Sequence, residues 1–206
     1  MRGIEQIPWL YDSGMAVLEA TGLGRWRRWL ARGAQGRLLD LGCGTGRNLA
    51  LFDGRVRAVG LDPCWDSLRR ARRRAPGALF VHARAEMLPF RAGVFDTVTS
   101  GLVFCSIDDP AGGLGEVRRV LRSGGSLRML EHVRSERFWQ ARLQDLTQPA
   151  WTWLTGGCRP NRDTEAAVAR AGFVVVEGTR RAVGNMRRLE ARVSSESSPA
   201  AGSLSG

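Results

Sequence analysis

Leu38-Leu39-Asp40-Leu41-Gly42-Cys43-Gly44-Thr45-Gly46-Arg47-Asn48-Leu49 is the stretch that decides the fold of this chain. Leu38, Leu39 and Leu41 supply the short apolar run of a buried parallel strand, and Gly42, Gly44 and Gly46 free the backbone behind it for a tight turn and close ligand approach. A second strand pattern, Val56 to Leu61, ends in Asp62, 20 residues beyond Gly42. In a doubly wound sheet an acid at that tip accepts hydrogen bonds from both ribose hydroxyls of a ligand held over the first turn. The spacing predicts a nucleoside.

The glycine pattern then selects among nucleoside cofactors. Dinucleotide sites use Gly-x-Gly-x-x-Gly, with a helix N-terminus facing a pyrophosphate, whereas here the pattern is Gly-x-Gly-x-Gly preceded by Asp40. An acid beside the loop repels pyrophosphate and suits a cationic ligand end such as the ammonium and sulfonium of S-adenosylmethionine (SAM). SAM is the predicted cofactor, ahead of NAD.

Outward from this stretch the motifs fall in a recognisable order. Gly60-Leu61-Asp62, Ala85-Glu86-Met87-Leu88-Pro89-Phe90, Phe95-Asp96-Thr97-Val98 and Glu116 to Gly125 follow the glycine loop. In that order the chain resembles the class I SAM-dependent methyltransferases over roughly residues 10 to 180. Within them it is most similar to the methyltransferase-like 7 (thiol methyltransferase) group and the small bacterial phospholipid or UbiE-type methyltransferases. The segments that carry this are Leu102 to Ile107, Glu131-His132-Val133, Gln148 to Trp151 and Gly156 to Thr164. The resemblance implies a Rossmann-like, doubly wound, mostly parallel α/β sheet of seven strands with an antiparallel pair at its C-terminal end. Methyl transfer to a small-molecule or lipid acceptor, a thiol or amine, is the function it implies. The alternatives are an RNA methyltransferase and a SAM-binding protein without turnover.

Hydropathy patterning gives the same architecture. Residues 13 to 33 carry apolar positions at helical spacing, read as one or two lid-like helices over residues 1 to 33. Strands are expected at 37–42, 56–61, 78–82, 95–101 and 125–131, alternating with helices at 46–52, 64–74 and 110–121. Helices at 134–148 and 160–171 and strands at 173–181 and 186–193 complete a cofactor domain spanning 34–193. From Ser194 the Ser-rich sequence lacks the apolar content to repay ordering and is expected to be a disordered tail.

Composition bounds the partners. All 31 basic residues are arginine, and the net charge is +11. A coding bias toward arginine accounts for such a surface, so nucleic-acid binding is not expected, and Arg69 to Arg74 read as a solvated helix face. Cys43, Cys64, Cys105 and Cys158 are widely spaced with no Cys-x-x-Cys pair, which argues against both a metal site and a disulfide framework. No long apolar run marks a signal peptide or membrane anchor, so a cytoplasmic protein with at most peripheral membrane contact is expected.

Site residues follow from the strand tips, where ligands sit in open α/β sheets. Asp40, Gly42, Cys43, Gly44, Asn48, Asp62, Pro63, Ala85, Glu86, Met87, Ser100 and Leu102 are expected to surround the cofactor, with Glu86 and the Met87 amide at the adenine. His132 and Glu131 are the candidate bases, on opposite faces because strand side chains alternate. Tyr11, Cys105, Trp151, Arg159 and Arg162 are expected at the acceptor, the tryptophan on a Gly/Pro-flanked segment after the fifth strand and the arginines at a phosphate or carboxylate, or paired with Asp163 or Glu165. Asp108 and Asp109 read as an N-cap and a first-turn acid ahead of Pro110.

Overall fold

The computed structural model describes Gly3 and residues 7–194. In it the alternating pattern closes into one mixed sheet. Its path runs β3 (Leu79–His82), β2 (Arg57–Asp62), β1 (Arg37–Leu41), β4 (Phe95–Gly101), β5 (Leu121–His132), β8 (Met186–Val193) and β6 (Phe173–Val175). The first five strands are parallel, and β8 runs antiparallel between β5 and β6. That seven-strand path is the doubly wound sheet with its antiparallel end that the sequence predicts. An eighth strand, β7 (Arg181–Val183), pairs with β8 off the path. The strand expected over 173–181 therefore stops at Val175, and Gly178, in the left-handed region at φ 75°, turns the chain toward β7. Strand order reverses between β1 and β4, and the tips there open a crevice.

The side-chain period of two sorts β1 between the two faces. Leu39 and Leu41 join Val98, Leu127 and Met129 in a core beneath α4 (Pro110–Val120) and α6 (Thr164–Arg170), with Leu114, Val117 and Val168 from the helices. On the opposite face lie α3 (Trp65–Arg74) and the N-terminal helices. These are α1 (Pro8–Leu18) and α2 (Gly24–Arg32), joined by a π-helical turn, Glu19–Leu23, in which Gly22 has φ 138°. Pro8 and Pro110 occupy first-turn positions, where a missing N–H costs nothing. Asp109 caps α4 by accepting from the Gly112 amide at 3.0 Å. Asp108 stays outside the helix and pairs with Arg84 at 2.8 Å, so only one of the two acids takes the role expected of it.

Two other elements differ from expectation. The helix anticipated over 46–52 shrinks to a short 3₁₀ turn, Leu49–Leu51, because left-handed glycines and the engaged Asn48 side chain hold the preceding residues in turns. Conversely, α5 runs from Phe138 through Pro149 to Thr155, absorbing the Gly/Pro-flanked segment expected to follow a helix at 134–148. Gln148 Nε2 donates to Thr152 Oγ1 at 2.8 Å and ties the turn that Pro149 weakens, and Gly156, at φ 88°, ends the helix. Among the described residues no helix is long and apolar enough to cross a membrane. The expected tail, beyond Ser194 itself, lies outside the described residues.

Candidate active site

Two cavities meet at the crevice. The first, about 420 Å³, is lined by Gly42, Gly44, Asp62, Pro63, Cys64, Ala85, Glu86, Leu102, Gly156 and Gly157, among others. Its floor is the glycine loop. Gly46, at φ 80°, lies against α3 so closely that a Cβ would stand 2.9 Å from the Ala71 Cα. At Gly44, at φ 54°, nothing lies within 4 Å of a Cβ position, so this is where the loop offers bare backbone to a ligand. Asp62 accepts from the Gly44 amide at 2.9 Å and the Cys64 amide at 2.8 Å, which fixes its carboxylate at the cavity wall. Burial raises its pKa against the pull of those two amides.

Several predicted cofactor residues stand beneath this cavity rather than on it. Asp40 is fully buried, accepting from Thr99 Oγ1 at 2.7 Å and from Asn48 Nδ2 at 3.2 Å, while Arg27 donates to Asn48 Oδ1 at 2.5 Å. Burial pushes its pKa up to about 6. Asp40 is thus held by Thr99 and Asn48 beneath the loop and lines neither cavity, contrary to the reading from loop spacing. Cys43 packs behind the loop with Leu49 and Leu68, and burial drives its thiol well above its usual range. Ser100 donates to Glu131. Met87 departs further: its side chain is 76% exposed and its amide donates to the Arg84 carbonyl at 3.2 Å, which leaves Glu86 alone of the pair on the cavity wall.

The second cavity, about 560 Å³, is largely apolar. Leu10, Met15, Leu18, Leu23 and Trp26 of the N-terminal helices form one side, and Trp151, Leu154 and Thr155 of α5 and Met186 of β8 form another. Tyr11 and Leu102 line both cavities. Leu102 sits at the tip of β4 with φ 65°, a conformation that costs a β-region side chain on the order of 1–3 kcal/mol. Its amide donates to the Leu130 carbonyl at 2.7 Å, which holds it there.

His132 lines the second cavity, as its strand-end position predicts. Glu131 faces the other way. It is fully buried, accepting from Ser100 Oγ at 2.7 Å and the Val103 amide at 3.0 Å, and burial raises its pKa. It braces the β4 tip and is withdrawn as a base. Of the other acceptor candidates, Arg159 is exposed and off both cavities. Arg162 donates to the carbonyls of Phe104 at 2.7 Å and Ile107 at 2.6 Å, so neither the anion clamp nor a pairing with Asp163 or Glu165 is what it forms.

Sequence spacing also misses a cluster. Cys105 and Cys158, both buried, meet His132, with one ligand-type atom from each within 4.8 Å of the others. Cys158 Sγ lies 3.9 Å from His132 Nδ1. Hydrogen bonds from Cys105 and then His132 hold the Cys158 thiol well below its usual pKa, and the same contact with burial raises Cys105. Only the fold brings these three together.

The N-terminal helices are strapped over the glycine loop by ion pairs that no motif announces. Arg47 donates twice to Glu19, at 2.7 and 2.6 Å, and to the carboxylate and backbone carbonyl of Asp12, at 3.0 and 3.4 Å. Arg74 donates to Thr45 O at 2.6 Å and to Asp12 Oδ2 at 3.1 Å, so this end of the arginine run on α3 is a fastening and not a solvated face.

Comparison with known proteins matches this architecture. Residues 39–129 match the family model described as a methyltransferase domain. Human thiol S-methyltransferase TMT1B is 34% identical over 156 residues, 70% of this chain and 64% of that protein. The chain thus spans less than two thirds of the length of that relative. An uncharacterized methyltransferase of Synechocystis sp. is 32% identical over 203 residues, 91% of this chain and 92% of that one. A SAM-dependent methyltransferase structure from Thermotoga maritima superposes with a TM-score of 0.69 at 20% identity, covering 89% of this chain and 95% of that one. With the glycine loop, the acid at the tip of β2 and the strand order in place, the chain belongs to the class I SAM-dependent methyltransferases.

Proposed function

We propose that this protein moves the methyl group of SAM to an apolar small-molecule or lipid acceptor, with a thiol as the preferred nucleophile. The observation that carries this is the pairing of cavities: a polar one floored by the glycine loop and an apolar one holding His132, joined at Tyr11 and Leu102. The residues present fit SAM. The bare backbone at Gly44 offers a cradle, Asp62 would take the ribose hydroxyls, and Glu86 would accept from the adenine amino group. SAM supplies its methyl as a sulfonium, already a good electrophile, so the protein's task is placement and exclusion of water.

Leu102 and Tyr11 set the line between donor and acceptor. The N-terminal helices act as a lid, closing the apolar cavity with Met15, Leu18 and Trp26. A thiol acceptor held in the apolar cavity would present its sulfur lone pair along that line to the methyl carbon, with S-adenosylhomocysteine as the leaving group. The thiol proton passes to His132, whose ring Cys158 positions through the contact at Nδ1. No arginine is among the lining residues of the apolar cavity, which favours this reading over an RNA substrate despite the net charge of +11. The thiol preference draws further support from the human relative named a thiol S-methyltransferase.

The test is S-adenosylhomocysteine production by the full chain across alkyl and aryl thiols, phenols, phosphatidylethanolamine vesicles and RNA. Turnover on thiols is expected, with His132→Gln lowering kcat about a hundredfold at neutral pH while SAM affinity holds. Turnover confined to RNA, or SAM binding without turnover on any acceptor, would sink the proposal.

A further inference from the structure

We propose that Cys105, Cys158 and His132 form a binding site for a thiophilic d¹⁰ cation, Zn²⁺ or one of similar preference, at the edge of the apolar cavity. Neighbouring ligand atoms on a tetrahedral zinc with Zn–S about 2.3 Å and Zn–N about 2.1 Å stand roughly 3.6–3.8 Å apart. Cys158 Sγ and His132 Nδ1 are already 3.9 Å apart, and Cys105 Sγ completes a triangle no wider than 4.8 Å. Closing that triangle onto a cation needs shifts of a few tenths of an ångström to about an ångström. Two thiolates and an imidazole are a soft donor set that selects zinc or copper(I) over magnesium or calcium. On binding, the thiols give up their protons and their charge matches that of the dication.

The backbone that carries the ligands is strapped together, as a metal site requires. The Arg159 amide donates to the Cys105 carbonyl at 2.7 Å, directly joining the two cysteine loops. The Cys158 amide donates to Thr155 Oγ1 at 3.2 Å, and Thr152 Oγ1 donates to the Cys158 carbonyl at 2.8 Å. Arg162 braces the Cys105 loop from both sides through the carbonyls of Phe104 and Ile107. Cys105 and Cys158 are each 1% exposed, so neither is a surface thiol that gathers metal incidentally. A cation on Nδ1 and a proton arriving at His132 during transfer compete for one ring, so the cation is an alternative occupant of the triad and not a participant in the methyl transfer proposed above. The site rests on these three side chains whatever the acceptor proves to be.

Cobalt(II) titration of the reduced full chain, followed by absorption, tests it. The expected result is saturation at one equivalent, with thiolate-to-cobalt charge-transfer bands that Zn²⁺ displaces. Cys105→Ser and Cys158→Ser should each weaken cobalt binding about a hundredfold or more, while Cys64→Ser leaves it unchanged. Should the serine variants fail to fold, X-ray absorption on the zinc-loaded wild-type chain decides, with two sulfurs and a nitrogen expected in the first shell. No saturable thiolate band in the wild-type chain, a zinc shell without sulfur, or bands that survive both serine variants would overturn the proposal.

Discussion

Asp62 and Asp40 are two acids of one motif with opposite situations. Asp62 keeps its carboxylate on the cavity wall because two backbone amides aim it there. Hydrogen bonds to a charged group contribute about 1.5–3 kcal/mol, so Asp62→Ala is expected to weaken S-adenosylhomocysteine binding by tenfold or more, read by calorimetry. Asp40, sealed beneath the loop, has a pKa of about 6 against an ordinary 3.8. A raised carboxyl pKa means that the folded state binds the proton more tightly than the unfolded one. Its stabilising contribution is therefore full below pH 3.8 and is lost as pH rises through about 6. Asp40→Asn should remove that slope: compared by urea denaturation between pH 4 and 8, the variant should gain on the wild type as pH rises, by at most roughly 3 kcal/mol. The acid-and-glycine pattern was legible at both positions. What each acid faces was not, since Asp40 lies in register with Gly60 inside the sheet while Asp62 stands two positions further along, at the tip of β2.

At the scale of elements, the N-terminal helices are held by charge and the wall of the apolar cavity by helix length. Arg47 grips Glu19 with both arms of its guanidinium and reaches Asp12 as well, and these side chains are largely screened from water. Arg47→Ala is expected to loosen the N-terminal helices by about 1–2 kcal/mol. In hydrogen exchange, residues 8–32 should then lose protection by about tenfold or more while the strands of the sheet keep theirs. Alternation of strand and helix patterns located nearly every element, because a strand buried on one face and a helix packed on it each leave a period in the sequence. The two misjudged helices show the limit of that signal. Pro149 reads as a helix end, yet Gln148 and Thr152 carry α5 past it and so bring Trp151 and Leu154 to the cavity. The 46–52 segment has apolar content enough for a helix, yet the glycine loop spends it in turns.

At the scale of the whole molecule, Arg128 fastens the sheet to the layer above it. Only 5% exposed, it donates to the carbonyls of Leu30 at 3.1 Å and Trp29 at 2.8 Å, pairs with Glu190 of β8 and lies 4.1 Å from the Trp29 ring centroid. Arg128→Met leaves the half-buried Glu190 carboxylate with Arg192 at 3.7 Å and strands two helix-end carbonyls, and a loss of about 1.5–3 kcal/mol in unfolding free energy is expected from denaturant titration. Such a residue reads in the sequence as one more arginine among 31. The sequence by itself determined the parallel sheet, the glycine loop, the acid at the tip of β2 and the family, because each is a local pattern enforced by backbone geometry and by a period of burial. Only the tertiary structure decided the apolar cavity, the ion pairs that hold the N-terminal helices and the meeting of Cys105, Cys158 and His132. Those arise from residues far apart in the chain, and no local period records which distant side chains a doubly wound sheet will bring to one edge.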